Sequence, residues 1–171
     1  MMQSPVLDPS ISAEYFKTIR NPVKFRLFLM KNLPAALFSG VKLQSAGPSR
    51  TEITIPYKWF TRNPFRSTYF ACLSMAAEMS TGILAMSCVY KRRPSISPLV
   101  VAVEGKFIKK ATGITCFVCE QGNEIRNVVE EAVTSGTSQS IRVLSSGFNE
   151  KQELVAEFYV TWSFKKRERQ T

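Results

Sequence analysis

Between Thr51 and Phe60 apolar and polar positions alternate. Ile53, Ile55, Tyr57 and Trp59 share one face and Glu52, Thr54 and Lys58 the other, the period of a half-buried strand. Pro56 within it points to an edge or bulged position. Upstream, Asp8-Pro9 reads as an N-cap followed by proline at the first helical position and opens a helix to about Arg20. Asn21-Pro22 repeats the signal and opens a second helix through Phe25, Phe28 and Leu29 to about Leu33, where Pro34 intervenes. Ser39-Gly40 ends this helical region, a strand is expected over 41–45, and Gly47-Pro48 makes a turn. Asn63-Pro64 breaks the alternating stretch, and 67–90 then reads as one long helix. Beyond Lys91-Arg92-Arg93 and a Pro/Ser linker, Pro98–Lys109 and Gly113–Gln121 are expected as strands joined by a turn. Ile125, Val128, Val129, Ala132 and Val133 follow the spacing of a short amphipathic helix. Ser138–Ser146 and Glu153–Lys165 form a final hairpin, with Leu154, Ala156, Phe158, Val160, Trp162 and Phe164 on one face. Strands segregated around one central helix indicate the α+β class.

The long helix carries the chemistry. Its stretch YFACLSMAAEMSTGILAMSCVY, Tyr69 to Tyr90, holds a single charge, Glu78. The length would suffice for a membrane span. Ser, Thr, Gly and the glutamate interrupt it, however, and no other segment supports a membrane class. No membrane span is therefore expected, but a helix buried all round beneath a wrapped sheet. Projected at about 100° per residue, Ser67, Ala71, Ser74, Met75, Glu78, Thr81, Gly82 and Ala85 fall within about 60° of the Glu78 direction. Phe70, Leu73, Met79, Ile83, Leu84 and Met86 point elsewhere. Apart from Met75 and Glu78 the stripe is small, so another helix, a partner chain or a substrate can come close. Desolvation raises the pKa of a buried carboxylate, which makes Glu78 a candidate general base or nucleophile. Equally, it could accept hydrogen bonds from Ser74, Thr81 or a lysine, or lie in a subunit interface. Tyr69, Phe70 and Ala71 would carry free first-turn N–H groups at the positive end of the helix dipole, where an oxyanion can be held.

Composition narrows the chemistry. The 171 residues suit one domain, taken as 1–171 with a helical extension over 1–38 and the central helix at 67–90. There is no histidine, which removes Ser-His and Cys-His catalysis and imidazole metal sites, so no metal is expected. A net charge of +10 points to an anionic partner. The first eight residues lack a basic start followed by an apolar run, so no secretory signal is expected, and four cysteines without a disulfide framework suggest a reducing, cytoplasmic setting. Cys116 and Cys119 form a CxxC, but at i and i+3 on a strand they face opposite sides. Cys72 and Cys88 read as packing residues of the buried helix.

The run Asn63–Gly82, NPFRSTYFACLSMAAEMSTG, resembles the central-helix motif of hot-dog-fold thioesterases. It is most similar to an uncharacterised thioesterase-like family, a domain of unknown function, related to the phenylacetyl-CoA thioesterase type. That pattern has Asn in the loop, a small or Gly-Gly pair opening the helix, and Asp or Glu about two turns in. Asn63 stands on the first position, Phe70-Ala71 where the glycine pair usually sits, and Glu78 on the acidic position. Phe70 is bulkier than glycine there, and the usual His-Gly element is absent.

The resemblance implies a hot-dog fold, with an antiparallel sheet wrapped around the long helix and dimers or tetramers joined through a continuous larger sheet. It implies active sites at the dimer interface and acyl-CoA or acyl-carrier thioesters as substrates, with no cofactor beyond the coenzyme A of the substrate. Glu78 would activate water or attack the thioester carbonyl, Asn63 would orient the water or carbonyl, and the amides of Phe70 and Ala71 would hold the oxyanion. Ser67, Ser74, Thr81 and Gly82 would line the substrate groove. Lys91, Arg92 and Arg93 have two readings: capping and solubility at the helix C-terminus, or capture of coenzyme A phosphates. Lys106, Lys109, Lys110 and Lys165-Lys166-Arg167 are rivals for the second role. Two alternatives to hydrolysis stand beside it. One is a hot-dog protein that binds acyl-CoA or lipid without turnover. The other is nucleic-acid binding, which the charge suits but for which no DNA or RNA motif appears.

Overall fold

The computed structural model describes residues 9–167, so the Asp8 cap lies outside the described residues. Helices α1 (Pro9–Ile19), α2 (Pro22–Asn32) and α3 (Pro34–Ser39) come first, two of them where proline punctuation placed them. The Asn21 side chain caps α2, accepting from the Val23 and Lys24 N–H groups. Gly40 closes α3 at φ 81°, a left-handed position glycine takes without steric cost. Then follow β1 (Lys42–Ala46), β2 (Thr51–Ile55), a 3₁₀ turn at Trp59–Thr61 and the long α4 (Phe70–Val89). The rest is β3 (Ile96–Phe107), β4 (Thr115–Cys119), α5 (Gly122–Ser135), β5 (Gln139–Phe148) and β6 (Leu154–Lys166).

The six strands form one antiparallel sheet in the order β1-β2-β4-β5-β6-β3. Alternate residues of its concave face lie over α4: Ile53, Phe117, Val143, Phe158, Val160 and Phe164 are all nearly fully buried. Opposite them Leu73, Ala76, Ala77, Leu84 and Ala85 of α4 are buried as well. The α1–α3 segment packs Phe16, Phe25 and Leu29 against one end of this core. α5 packs Ile125, Val129 and Ala132 against the other. A helix apolar enough to cross a membrane is here enclosed by its own sheet.

Three expectations need correction. The alternating strand stops at Ile55 rather than Phe60, because Pro56 has no N–H for the ladder and the Thr61 hydroxyl donates to its carbonyl oxygen, coiling the chain into the 3₁₀ turn. Trp59 therefore leaves the sheet face and stands 75% exposed. The helix expected from residue 67 begins at Phe70, since Thr68 and Tyr69 donate their N–H groups to the carbonyls of Ala111 and Thr61 and stay extended. Lastly, β3 and β4 are not partners. β3 pairs with β6 at one sheet edge, while β4 lies between β2 and β5, so residues 108–114 cross between them instead of making a hairpin turn.

Candidate functional site

The loop before α4 is built around Asn63. Its Oδ1 accepts from the N–H groups of Phe65 (3.0 Å) and Ser67 (3.1 Å), and its Nδ2 donates to Ser67 Oγ (3.1 Å). These bonds hold a tight turn in which Arg66 adopts φ 59°. The turn delivers the chain to α4, whose N-terminus has no side-chain cap among the described residues. Cys72 and Leu73 donate their N–H groups to the Tyr69 carbonyl, whereas those of Phe70 and Ala71 meet no acceptor among the described residues. A cleft of about 600 Å³ opens at this helix start. Asn63, Ser67 and Phe70 line it from one side, and Phe107, Lys109 and Lys110 from the other. Tyr69 and Phe70 meet edge to face at 4.8 Å between ring centroids, and Phe70 is 55% exposed.

Glu78 lies two turns along α4, partly buried, and desolvation lifts its carboxyl above the ordinary glutamate range. No hydrogen bond or ion pair holds that carboxylate among the described residues. The Thr81 hydroxyl, one of its expected donors, is engaged elsewhere. It donates to the Glu78 carbonyl oxygen at 2.8 Å and accepts from Trp162 Nε1 at 2.9 Å. Gly82 makes room for the carboxylate. A Cβ there would come within 3.2 Å of Glu78 Oε1 and 3.5 Å of the Trp162 ring. Around Glu78, Ala71, Ser74 and Met75 are also only partly covered, so this side of α4 is more open than the side beneath the sheet.

The structure thus sorts the expected site residues into three places. Asn63, Ser67 and Phe70 share the cleft, with Ala71 just inside the helix start. Ser74 and Glu78 lie on the open side of α4, with Thr81 and Gly82 buried beneath Trp162. Eight residues of helix, about 12 Å, separate Phe70 from Glu78. Lys91, Arg92 and Arg93 lie at the far end of α4, about 30 Å from the cleft by helix rise. There Lys91 pairs with Glu14 at 2.7 Å, and buried Arg92 reaches Glu130 of α5 through both terminal nitrogens. Lys109 and Lys110 are the basic residues at the cleft, the former paired with Glu153 and the latter donating to the Phe65 carbonyl oxygen at 3.3 Å. Phe107 and Ile108 are cleft residues that the sequence reading did not single out. Their only sequence signal was an apolar strand end running into two lysines. Among the described residues no three His, Cys, Asp or Glu side chains come together as a metal site.

Compared by sequence, the chain matches no protein-family model and no curated protein. Compared by structure, it matches many solved chains along almost their whole length. A Pseudomonas aeruginosa protein of unknown function, named "Probable Thioesterase", superposes with a TM-score of 0.72 and 21% identity, covering 85% of this chain and 97% of that one. A thioesterase from Haemophilus influenzae gives a TM-score of 0.60 at 13% identity, covering 85% and 92%. The E. coli PaaI protein, from the phenylacetic acid degradation operon, gives 0.59 at 14%, covering 89% and 94%. The shared architecture is the hot-dog fold: an antiparallel sheet wrapped around one long helix, here with added N-terminal helices.

Proposed function

We propose that this hot-dog chain is an acyl-thioester hydrolase that works as a homodimer on acyl-CoA or acyl-carrier substrates. The observation that carries the reading is Glu78: a desolvated carboxylate in mid-helix, without a partner among the described residues, over a glycine that leaves it space. Desolvation makes such a group bind a proton more tightly than an ordinary glutamate, which suits it to act as a general base.

One chain does not complete the site, because Glu78 lies about 12 Å along the helix from the unpartnered amides of Phe70 and Ala71. A second copy would complete it. Among the described residues no strand lies beside the outer edge of β3, and residues 101–110 are exposed throughout, Val101, Val103 and Phe107 among them. A long apolar edge of this kind pairs readily with another strand. Edge-to-edge pairing about a twofold axis would cover the open side of α4 and set the helix start of one copy against Glu78 of the other.

In that arrangement the thioester carbonyl lies at the N-terminus of α4. The Phe70 and Ala71 N–H groups receive the developing oxyanion. Glu78 takes a proton from water as the oxygen adds to the carbonyl carbon. Collapse of the adduct breaks the C–S bond, and the thiolate leaves and takes up a proton. Asn63 retains one free Nδ2 proton with which to orient the water or carbonyl. Lys110 offers a cation for the coenzyme A phosphates at the cleft mouth. The free cysteines suit a reducing cytoplasm.

A second reading, acyl-CoA binding without turnover, is favoured by the Phe70 side chain projecting into the cleft and by Asn63 being spent largely on its own loop. A thiol-release assay over acyl-CoAs of graded length separates the two. Hydrolysis by the wild type, with Glu78→Gln slower by about 10² to 10⁴, is the expected outcome. Full rate in that variant would overturn the mechanism. Acyl-CoA binding with no thiol release on any chain length would establish the binding-only reading.

A further inference from the structure

We infer that α2 docks this protein onto anionic membrane surfaces. The helix is apolar on two opposite sides. Phe25 and Leu29 face the core, 5% and 0% exposed. Val23, Leu27 and Met30 fall within about 60° of one another on the opposite side, where they are 65%, 53% and 58% exposed. The fold needs only the first side. Lys24 and Lys31 flank the exposed stripe on one border and Arg26 on the other, and none of the three forms an ion pair among the described residues. By contrast Arg50, Lys91, Arg92, Lys109 and Arg142 are all paired.

Charge along the chain selects the occupant. Residues 15–77 hold ten Lys and Arg and one acid, Glu52, so nearly all of the +10 net charge lies in this part of the molecule. An apolar stripe bordered by unpaired cations is the pattern of a helix lying in a bilayer interface, with aliphatic side chains among the acyl chains and cations at the headgroups. Aromatic side chains stand on adjoining elements: Phe38 of α3 meets Phe60 of the 3₁₀ turn at 6.5 Å between centroids, beside exposed Trp59. Tryptophan at a protein surface suits the headgroup layer. The stripe lies on a different element from the β3 edge assigned to the second copy, and the inference stands whether or not the chain hydrolyses thioesters.

Co-sedimentation of the full chain with vesicles tests it. Binding is expected to phosphatidylcholine vesicles containing phosphatidylserine, weakening as salt screens the cations. Binding to pure phosphatidylcholine should be weaker by about tenfold or more, as expected for loss of several cation–headgroup attractions. Leu27→Asp and the pair Lys24→Glu with Lys31→Glu should each lower affinity for the anionic vesicles by about tenfold or more. All of these side chains are exposed, so thermal unfolding should stay unchanged and separate lost docking from lost folding. Equal binding to neutral and anionic vesicles, or unchanged binding by the variants, would overturn the proposal. So would either of two other outcomes: a wild type that binds no vesicle but retains random-sequence oligonucleotides, or one whose oligomeric mass falls on Leu27→Asp.

Discussion

Gly82 and Glu78 show how closely the candidate chemistry depends on single atoms. Replacing Gly82 with alanine raises helix propensity by about 1 kcal/mol, and the Trp162 ring at 3.5 Å tolerates the new methyl. The Glu78 oxygen at 3.2 Å must move. Gly82→Ala should therefore keep or raise the unfolding temperature while lowering thioester turnover, a pairing that calorimetry and the thiol assay read together. The raised Glu78 pKa also sets a pH dependence. Folding favours the protonated carboxyl, so its contribution to stability is fully present below the unfolded pKa and is lost as pH rises through the higher folded value. Glu78→Gln should accordingly gain stability relative to wild type as pH climbs above the ordinary glutamate range. Over that same interval wild-type turnover should rise as the base ionises, which parallel unfolding and rate profiles will show.

Between elements, the Arg92–Glu130 pair ties the end of α4 to α5. The guanidinium is 3% exposed and the carboxylate 28%, so the pair lies mostly out of water. Arg92→Ala should cost about 2 kcal/mol, measurable in urea, by removing charge-assisted hydrogen bonds to a carboxylate that lies mostly out of water. Adding Glu130→Gln should recover part of the loss. The sequence offered Arg92 as a cap or a phosphate ligand, because a cation after a helix looks the same in either role. Only the packing of α5 supplied the acid. A similar ambiguity ended β2: alternation continued to Trp59, but Pro56 and the Thr61 hydroxyl closed the ladder at Ile55. The Asn21-Pro22 start of α2 was legible because a capping signal acts within a few residues, as the Asn21 bonds show.

At the scale of the molecule, the exposed β3 edge and the divided site lead to the same expectation. Val103→Lys places a charge on the strand proposed to join two copies, opposite Val160 of β6 on the concave face. Light scattering should then report a monomer, with circular dichroism unchanged and thioester hydrolysis lost by about 10² or more as Glu78 and the partner's helix start separate. A fully active monomer would refute the two-copy site.

The sequence alone carried the α+β class, the helix at the centre, the proline-set starts of the N-terminal helices and the inward face of β6, because each follows from local periodicity or capping. It also brought forward Glu78, as the lone charge of the long helix, and Phe70 and Ala71, at its start, while Asn63 came from the family resemblance. Tertiary structure alone decided the strand order, the separation of β3 from β4, and the basic side chains at the cleft. Those features depend on contacts between residues far apart in the chain, and the energy of such contacts is set by what folding brings against them.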